Sequence, residues 1–235
     1  MSNRNRGKQP NDDKVFAPKW IPILTEAVND LSFLLSRGYA SNSAMQLVGN
    51  RYKLNKRQRV AVYRVSASEQ EVAGRKASQC QQDELKAATV DIDGFNLLIL
   101  LESAISGAYI FKGRDGTLRD ISSVHGSYKR VRQTEEAIRL TGRVLQDLQV
   151  ASVNWYLDKP ISNSGRLLSR LYEIAEEEGF NWRVELVYSP DKVLAMSSNI
   201  VVSSDGWVLD QAECWFNLGA LLVEECVEHA TVVEL

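Results

Sequence analysis

Four aspartates stand where the strands of an α/β sheet would end. Val90-Asp91-Ile92-Asp93-Gly94 puts an acid at the close of a short apolar run, Trp155-Tyr156-Leu157-Asp158 puts one after a second run, and Val201-Val202-Ser203-Ser204-Asp205-Gly206 puts one after the last. Asp191 opens the segment between the third and last runs. Aspartate is an ordinary strand-to-loop residue, so one such acid means little; three at one edge point to a site. Carboxylates held within roughly 4–6 Å raise one another's pKa, and keeping several ionised at neutral pH requires a compensating positive charge. Magnesium or manganese, hard ions that take oxygen ligands, would supply it. Such an ion lowers the pKa of bound water and neutralises charge developing on a phosphoryl oxygen, which is what phosphodiester hydrolysis requires. That chemistry needs no histidine or cysteine nucleophile. The chain has two His and three widely spaced Cys, Cys80, Cys214 and Cys226, which supports neither a disulfide framework nor a tetrahedral zinc site.

Strands alternating with helices must position those acids. Apolar runs predict strands over 88–92, 151–157, 182–188 and 200–202, with a further extended piece over 109–111. Between them, Leu97, Leu98, Leu101 and Ile105 mark a helix, 135–149 and 164–178 read as helices, and 192–195 as a short turn or helix. The alternation indicates a three-layer α/β domain over 88–235 with a mainly parallel central sheet, whose ligand site lies beyond the carboxyl ends of the strands.

The front of the chain is of another kind. Residues 1–17 lack apolar periodicity and read as a disordered tail. Over 18–66, Ile21, Leu24, Val28, Leu31, Leu34 and Leu35 recur at helical spacing up to Arg37-Gly38. Ser41 can cap a second helix and Asn55 a third. This is a small all-helical domain compatible with a helix-turn-helix, with Arg51, Lys53, Lys56, Arg57, Arg59 and Arg64 along its second turn and third helix. Residues 67–87 are polar and read as a linker or exposed helical connector. Residues 1–86 hold 15 Lys and Arg against 8 Asp and Glu, the remainder 13 against 22. A basic module joined to an acidic one suggests that the first meets phosphates and the second a cation.

The string Val90 to Leu98, Val-Asp-Ile-Asp-Gly-Phe-Asn-Leu-Leu, resembles the opening motif of PIN-like nucleases, especially their NYN branch. That resemblance implies a metal-ligand role for Asp93 and a supporting role for Asn96. Pro190-Asp191-Lys192-Val193-Leu194 resembles the acid opening a helix before the last core strand, Val201 to Asp205 resembles the strand followed by Ser-Ser-Asp, and Asp158 fits the second-strand acid more loosely. The expectation is therefore a metal-dependent nuclease acting on RNA, with Asp93, Asp158, Asp191 and Asp205 holding Mg or Mn, Asn96 orienting, and Ser203 and Ser204 supporting the last ligand. Arg114, His125, Lys129 and Arg130, in an insertion over 107–134 that the resemblance does not match, would contact phosphates near the cut, and Lys53, Lys56, Arg57 and Arg59 would anchor the strand farther away. The helical front followed by the acidic back also resembles a prokaryotic family, domain of unknown function 434. That resemblance marks Arg37 to Tyr39, Gly49 to Tyr52 and Val124 to Tyr128 as candidate functional elements.

Two other readings compete. Asp91-x-Asp93-Gly94, with Lys192 and the acids Asp205 and Asp210, resembles the haloacid-dehalogenase-like phosphatases, although Phe95-Asn96 stands where that motif wants Thr. A catalytically inactive nucleic-acid-binding protein could keep the acidic domain only as scaffold. Trp207, Trp215 and Phe216, among Leu209, Leu218, Leu221 and Leu222, read as core packing or a homodimer face, whereas Trp20 and Tyr52 suit base stacking better. At 44 % apolar composition the chain can bury a core, and no run approaches the roughly 20 apolar residues that cross a bilayer, so a cytoplasmic protein with no membrane partner is expected.

Overall fold

A computed structural model describes residues 6–122 and 128–235. Within the segment expected as an unordered tail, residues 6–17 are packed. They contain the short helix α1 (Asp12–Val15), and Phe16 is buried edge-on against Phe111. Arg6 pairs with Glu102, and Asp12 pairs with Arg57, each acid fully buried. Charge pairing supplies the order that apolar periodicity does not show.

The three expected helices are α2 (Ile21–Ser36), α3 (Ser41–Arg51) and α4 (Lys56–Val65). Leu24, Val28 and Leu31 meet Ala44, Val48, Ala61, Val62 and Val65 in one core. Asn55 caps α4 through a reciprocal capping box with Gln58, whereas Ser41 is the first residue of α3 and Ala40 stands at the cap. The expected linker contains a docked helix, α5 (Glu69–Ser78), opened by a Ser68–Glu71 capping box and burying Arg75.

The remainder runs β1 (Thr89–Asp93), α6 (Gly94–Ile105), β2 (Tyr109–Lys112), β3 (Leu118–Asp120), α7 (Thr134–Asp147), β4 (Ser152–Asp158), α8 (Ser164–Glu178), β5 (Trp182–Val187), α9 (Pro190–Ala195), β6 (Ile200–Val202), α10 (Gly206–Gln211), α11 (Leu218–Cys226) and β7 (Thr231–Glu234). Strands β5, β4, β1 and β6, in that order, form an all-parallel sheet. Alternation along the strands sends Val90, Ile92, Val153, Trp155 and Leu157 into the core with α6, α7 and α8. The same alternation leaves Asp91, Asp93, Asn154, Tyr156 and Asp158 on the opposite face, where α9 packs with α10 behind it. The chain lays down β1, β4 and β5 in one direction and then returns to place β6 on the other side of β1. Open α/β sheets bind ligands in the crevice beyond the carboxyl ends at such a reversal.

A second sheet, ordered β3-β2-β7, was visible in the sequence only as the extended piece near 109–111. Phe111 and Ile121 beside it belong to the core of the helical front, so the two halves share one packed boundary. Among the described residues, no helix is long and apolar enough to cross a membrane.

Candidate functional site

Asp93 is both the last residue of β1 and the N-cap of α6, where its carboxylate accepts from the Asn96 backbone N–H at 3.3 Å. Gly94 makes this tight turn possible. A Cβ there would lie 2.5 Å from Leu157 Cδ2 and 3.1 Å from the Tyr156 carbonyl, so glycine lets α6 start hard against β4. From β6, Ser203 Oγ donates to Asp93 Oδ2 at 2.9 Å and accepts from the Asp205 N–H at 3.0 Å. Ser204 donates to Asn96 Oδ1 through its N–H at 2.9 Å and its hydroxyl at 2.8 Å. Asp205 caps α10, accepting from Trp207 N at 2.9 Å and Val208 N at 3.2 Å. The first and last motifs of the resemblance are thus bonded to each other across the strand reversal.

Asp158, half-buried, ends β4, and Asp191, exposed, lies in the first turn of α9. Burial pushes the Asp93 carboxyl up to about 7, and the charges of Asp191 and Asp205 push the same way against the hydrogen bonds from Ser203 and Asn96. Burial and then Asp191 raise Asp158; burial and then Asp205 raise Asp191. Asp191 therefore links the four electrostatically. Among the described residues none of the four forms a salt bridge, whereas Asp12, Asp115, Asp120 and Asp210 do. The acids feel one another without closing on a point: among the described residues, no group of three or more His, Cys, Asp or Glu side chains is arranged to hold a metal ion.

Asp91 lies on the same face but deeper, paired in register with Asn154 and Val201. Its oxygens accept from Asn154 Nδ2 at 2.7 Å, Ser197 Oγ at 2.7 Å and Asn199 Nδ2 at 3.2 Å. A carboxylate so committed ties β1 to β4 and to the approach to β6.

Behind the β6–α10 loop stands a network that no local pattern announces. Arg119 Nε donates to the Ser204 carbonyl at 2.9 Å, and Asp115 accepts from Arg119 at 2.6 Å and from Arg75 at 2.6 Å. Arg75 Nε reaches Asp210 at 2.7 Å, across 135 residues of chain. Burial would raise Asp115, yet the Arg119 guanidinium and these hydrogen bonds hold it well below the usual carboxylate range. Gly206 gives Arg75 room, since a Cβ there would lie 2.8 Å from its Nη2.

The expected cationic contacts divide. Arg57 is tied to Asp12 and the Ile121 carbonyl, Arg59 to the Leu54 carbonyl and Asn50, and Arg114 to Glu69 and the Ala67 carbonyl. These three brace the chain itself through part of their hydrogen-bonding capacity. Lys53, Lys56, Lys129 and Arg130 are exposed, and among the described residues they form no salt bridge. His125 lies outside the described residues, as do 124–127 of the Val124 to Tyr128 element. In the Gly49 to Tyr52 element, Gly49 admits the Arg59 guanidinium and Tyr52 donates to Asp30 at 2.8 Å. Trp215 and Phe216 are buried as expected, but Trp207 is exposed. It borders a groove of about 510 Å³ between the helical front and the loop carrying Ser204 and Asp205.

Residues 82–221 match a family described as Domain of unknown function (DUF5616), and residues 23–77 match one described as Protein of unknown function (DUF434). The likeness to the second family is thus confined to the helical front, with the acidic back matching the first. Over 188 residues the chain is 31 % identical to Uncharacterized protein MJ0935 of Methanocaldococcus jannaschii, covering 77 % of this chain and 90 % of that protein. No solved structure matches the chain.

Proposed function

The chain belongs to the DUF5616 family, and from the site that its matched segment builds we propose that it is a metal-dependent nuclease hydrolysing phosphodiester bonds in RNA. One observation carries the reading: four carboxylates from β1, β4, α9 and the β6–α10 loop gather at the strand reversal, interact electrostatically, and have no cationic side chain among the described residues paired with them. A buried acid without a compensating positive charge is costly, and a hard divalent ion is the partner that all-oxygen donors suit. The PIN-like resemblance of Val90 to Leu98 and Val201 to Asp205 supports it, as does the hydrogen-bonded union of those two motifs.

Magnesium or manganese held by Asp93, Asp158, Asp191 and Asp205 would polarise a phosphoryl oxygen and make water nucleophilic at neutral pH. Because such ions keep several waters, side chains that interact without touching are compatible with holding one. Ser203 and the Asn96 N–H fix the direction of the Asp93 carboxylate, and Asn96 ties that residue to Ser204. Lys129 and Arg130 stand in the segment whose Tyr128 backbone bonds Ser162 and Asn163, just beyond Asp158, a position from which they would hold a phosphate. Lys53 and Lys56 are the remaining anchors of the helical front.

Calorimetric titration with Mn²⁺, read beside cleavage of a labelled RNA, tests this. The wild type should bind the ion and cleave, and Asp93→Asn and Asp205→Asn should lose both. An unchanged affinity in both variants would sink the metal site, and RNA binding without cleavage in the presence of bound Mn²⁺ would favour the inactive binding protein.

A further inference from the structure

The groove beside the acids draws its walls from both halves of the chain. Asn96, Asp205 and Trp207 line one side, and Tyr63 and Arg64 of α4 line the other. Its volume of about 510 Å³ falls within the range of sites that enclose a small organic group. Trp207 is 50 % exposed and Tyr63 45 %, although aromatic rings gain by burial. Neither ring stacks on another ring or a cation among the described residues. Asn96 spends its carbonyl oxygen on Ser204, and among the described residues its amide nitrogen donates to nothing. Arg64 bonds Asp120 through one nitrogen, and its side chain remains 40 % exposed.

The lining charges balance: Arg64, Arg75 and Arg119 against Glu71, Asp205 and Asp210. This is not a basic cleft for a phosphate chain. It offers two open π faces, a free amide donor and one partly exposed guanidinium at the lip of the acidic rim. A flat, polar-edged ring suits those surfaces, and a base inside a duplex has no free face to give them. We propose that the groove seats an unpaired nucleotide of a single strand, its base against Trp207 and Tyr63 and its backbone leading to the rim of Asp93 and Asp205. The fate of that strand rests on the nuclease reading; its seating does not.

The test uses the full chain carrying Asp93→Asn, in EDTA, titrated with labelled single strands of uridine or deoxythymidine of roughly 12 nucleotides and with a duplex of equal length. The single strands should bind more tightly than the duplex, whichever sugar is preferred. Trp207→Ala and Tyr63→Ala should each weaken binding by about fivefold or more, and Trp207→Phe and Tyr63→Phe should restore most of it. The salt dependence should be shallow, that of about one or two neutralised phosphates. Equal affinity in all four variants, or a preference for the duplex, overturns the inference. Parallel Mn²⁺ titration of the wild type separates the two readings: metal bound without strand binding defeats the groove and spares the nuclease site, and strand binding without metal does the reverse.

Discussion

Asp93 carries a cost that pH exposes. Its folded value of about 7 lies above the ordinary 3.8, so between those values the folded chain keeps a proton that the unfolded chain has released. Without metal, this residue's penalty is absent below about pH 4, grows as pH rises toward 7, and is fully present above it. The gap is worth about 4 kcal/mol, a large part of a typical domain's stability. Asp93→Asn keeps the shape and removes the charge, so the fall in urea midpoint between about pH 4 and pH 8 should be much smaller than in the wild type; equal slopes would show that Asp93 is not the group responsible. A divalent ion competes with the proton, so Mn²⁺ should raise the wild-type midpoint more at about pH 8 than at pH 5. Ser203→Ala removes the hydroxyl that holds Asp93 down. Its Asp93 should titrate higher still, with weaker Mn²⁺ binding at neutral pH, and an unchanged pH profile of binding would count against this role for Ser203.

The loop between β6 and α10 supplies Ser203, Ser204 and Asp205; Arg119 of β3 holds its Ser204 carbonyl, and Asp115 of the β2–β3 turn joins Arg119 to Arg75 of α5, which bonds Asp210 of α10. Arg119→Ala would free the Ser204 carbonyl and leave the buried Asp115 with Arg75 as its one paired cation among the described residues, beside the hydrogen bonds from Thr117. Breaking a buried pair from one side costs about 3–5 kcal/mol, so the melting temperature should drop by several degrees. Because Arg119 acts through Ser204, Mn²⁺ affinity should fall in the folded variant too; full affinity at a temperature where the variant is folded would reduce the network to a brace. The sequence shows the strand ends and their acids because a period of two and an aspartate at each exit are local signals. Gly94 and Asn96 were legible for the same reason. Strand β3 was not, since Leu118-Arg119-Asp120 has a single apolar residue, and neither was β7, although the equally short β2 and β6 were. Nor was Arg75: its partner Asp210 is distant in sequence, and a polar segment reads alike whether it is a linker or a docked helix. Nor could counting cations show that Arg57, Arg59 and Arg114 have partners within the chain, because composition records charge and not pairing.

At the scale of the whole molecule, part of the contrast between a basic front and an acidic back is spent inside the chain. Arg6 reaches Glu102, Arg64 reaches Asp120, and Arg75 reaches Asp115 and Asp210, each pair joining the first 87 residues to the rest. Phe111 and Ile121 extend the helical core into the second sheet, and Trp215 Nε1 donates to the Arg75 carbonyl at 2.7 Å. The halves are therefore expected to unfold together, in one calorimetric transition whose van't Hoff and measured enthalpies agree. A fragment of residues 88–235 would expose Phe111 and Ile121 and strand Glu102, Asp115 and Asp120 without these cations. It should be poorly soluble or molten alone, and adding residues 1–87 in trans should recover a cooperative transition. Two separate transitions in the full chain, or a fragment as stable as the whole, would show that the boundary is a contact between independent domains. The groove would then be a gap whose width varies, and Tyr63 and Trp207 could not act on one nucleotide together. The cooperativity of unfolding thus bears directly on where a strand can be held.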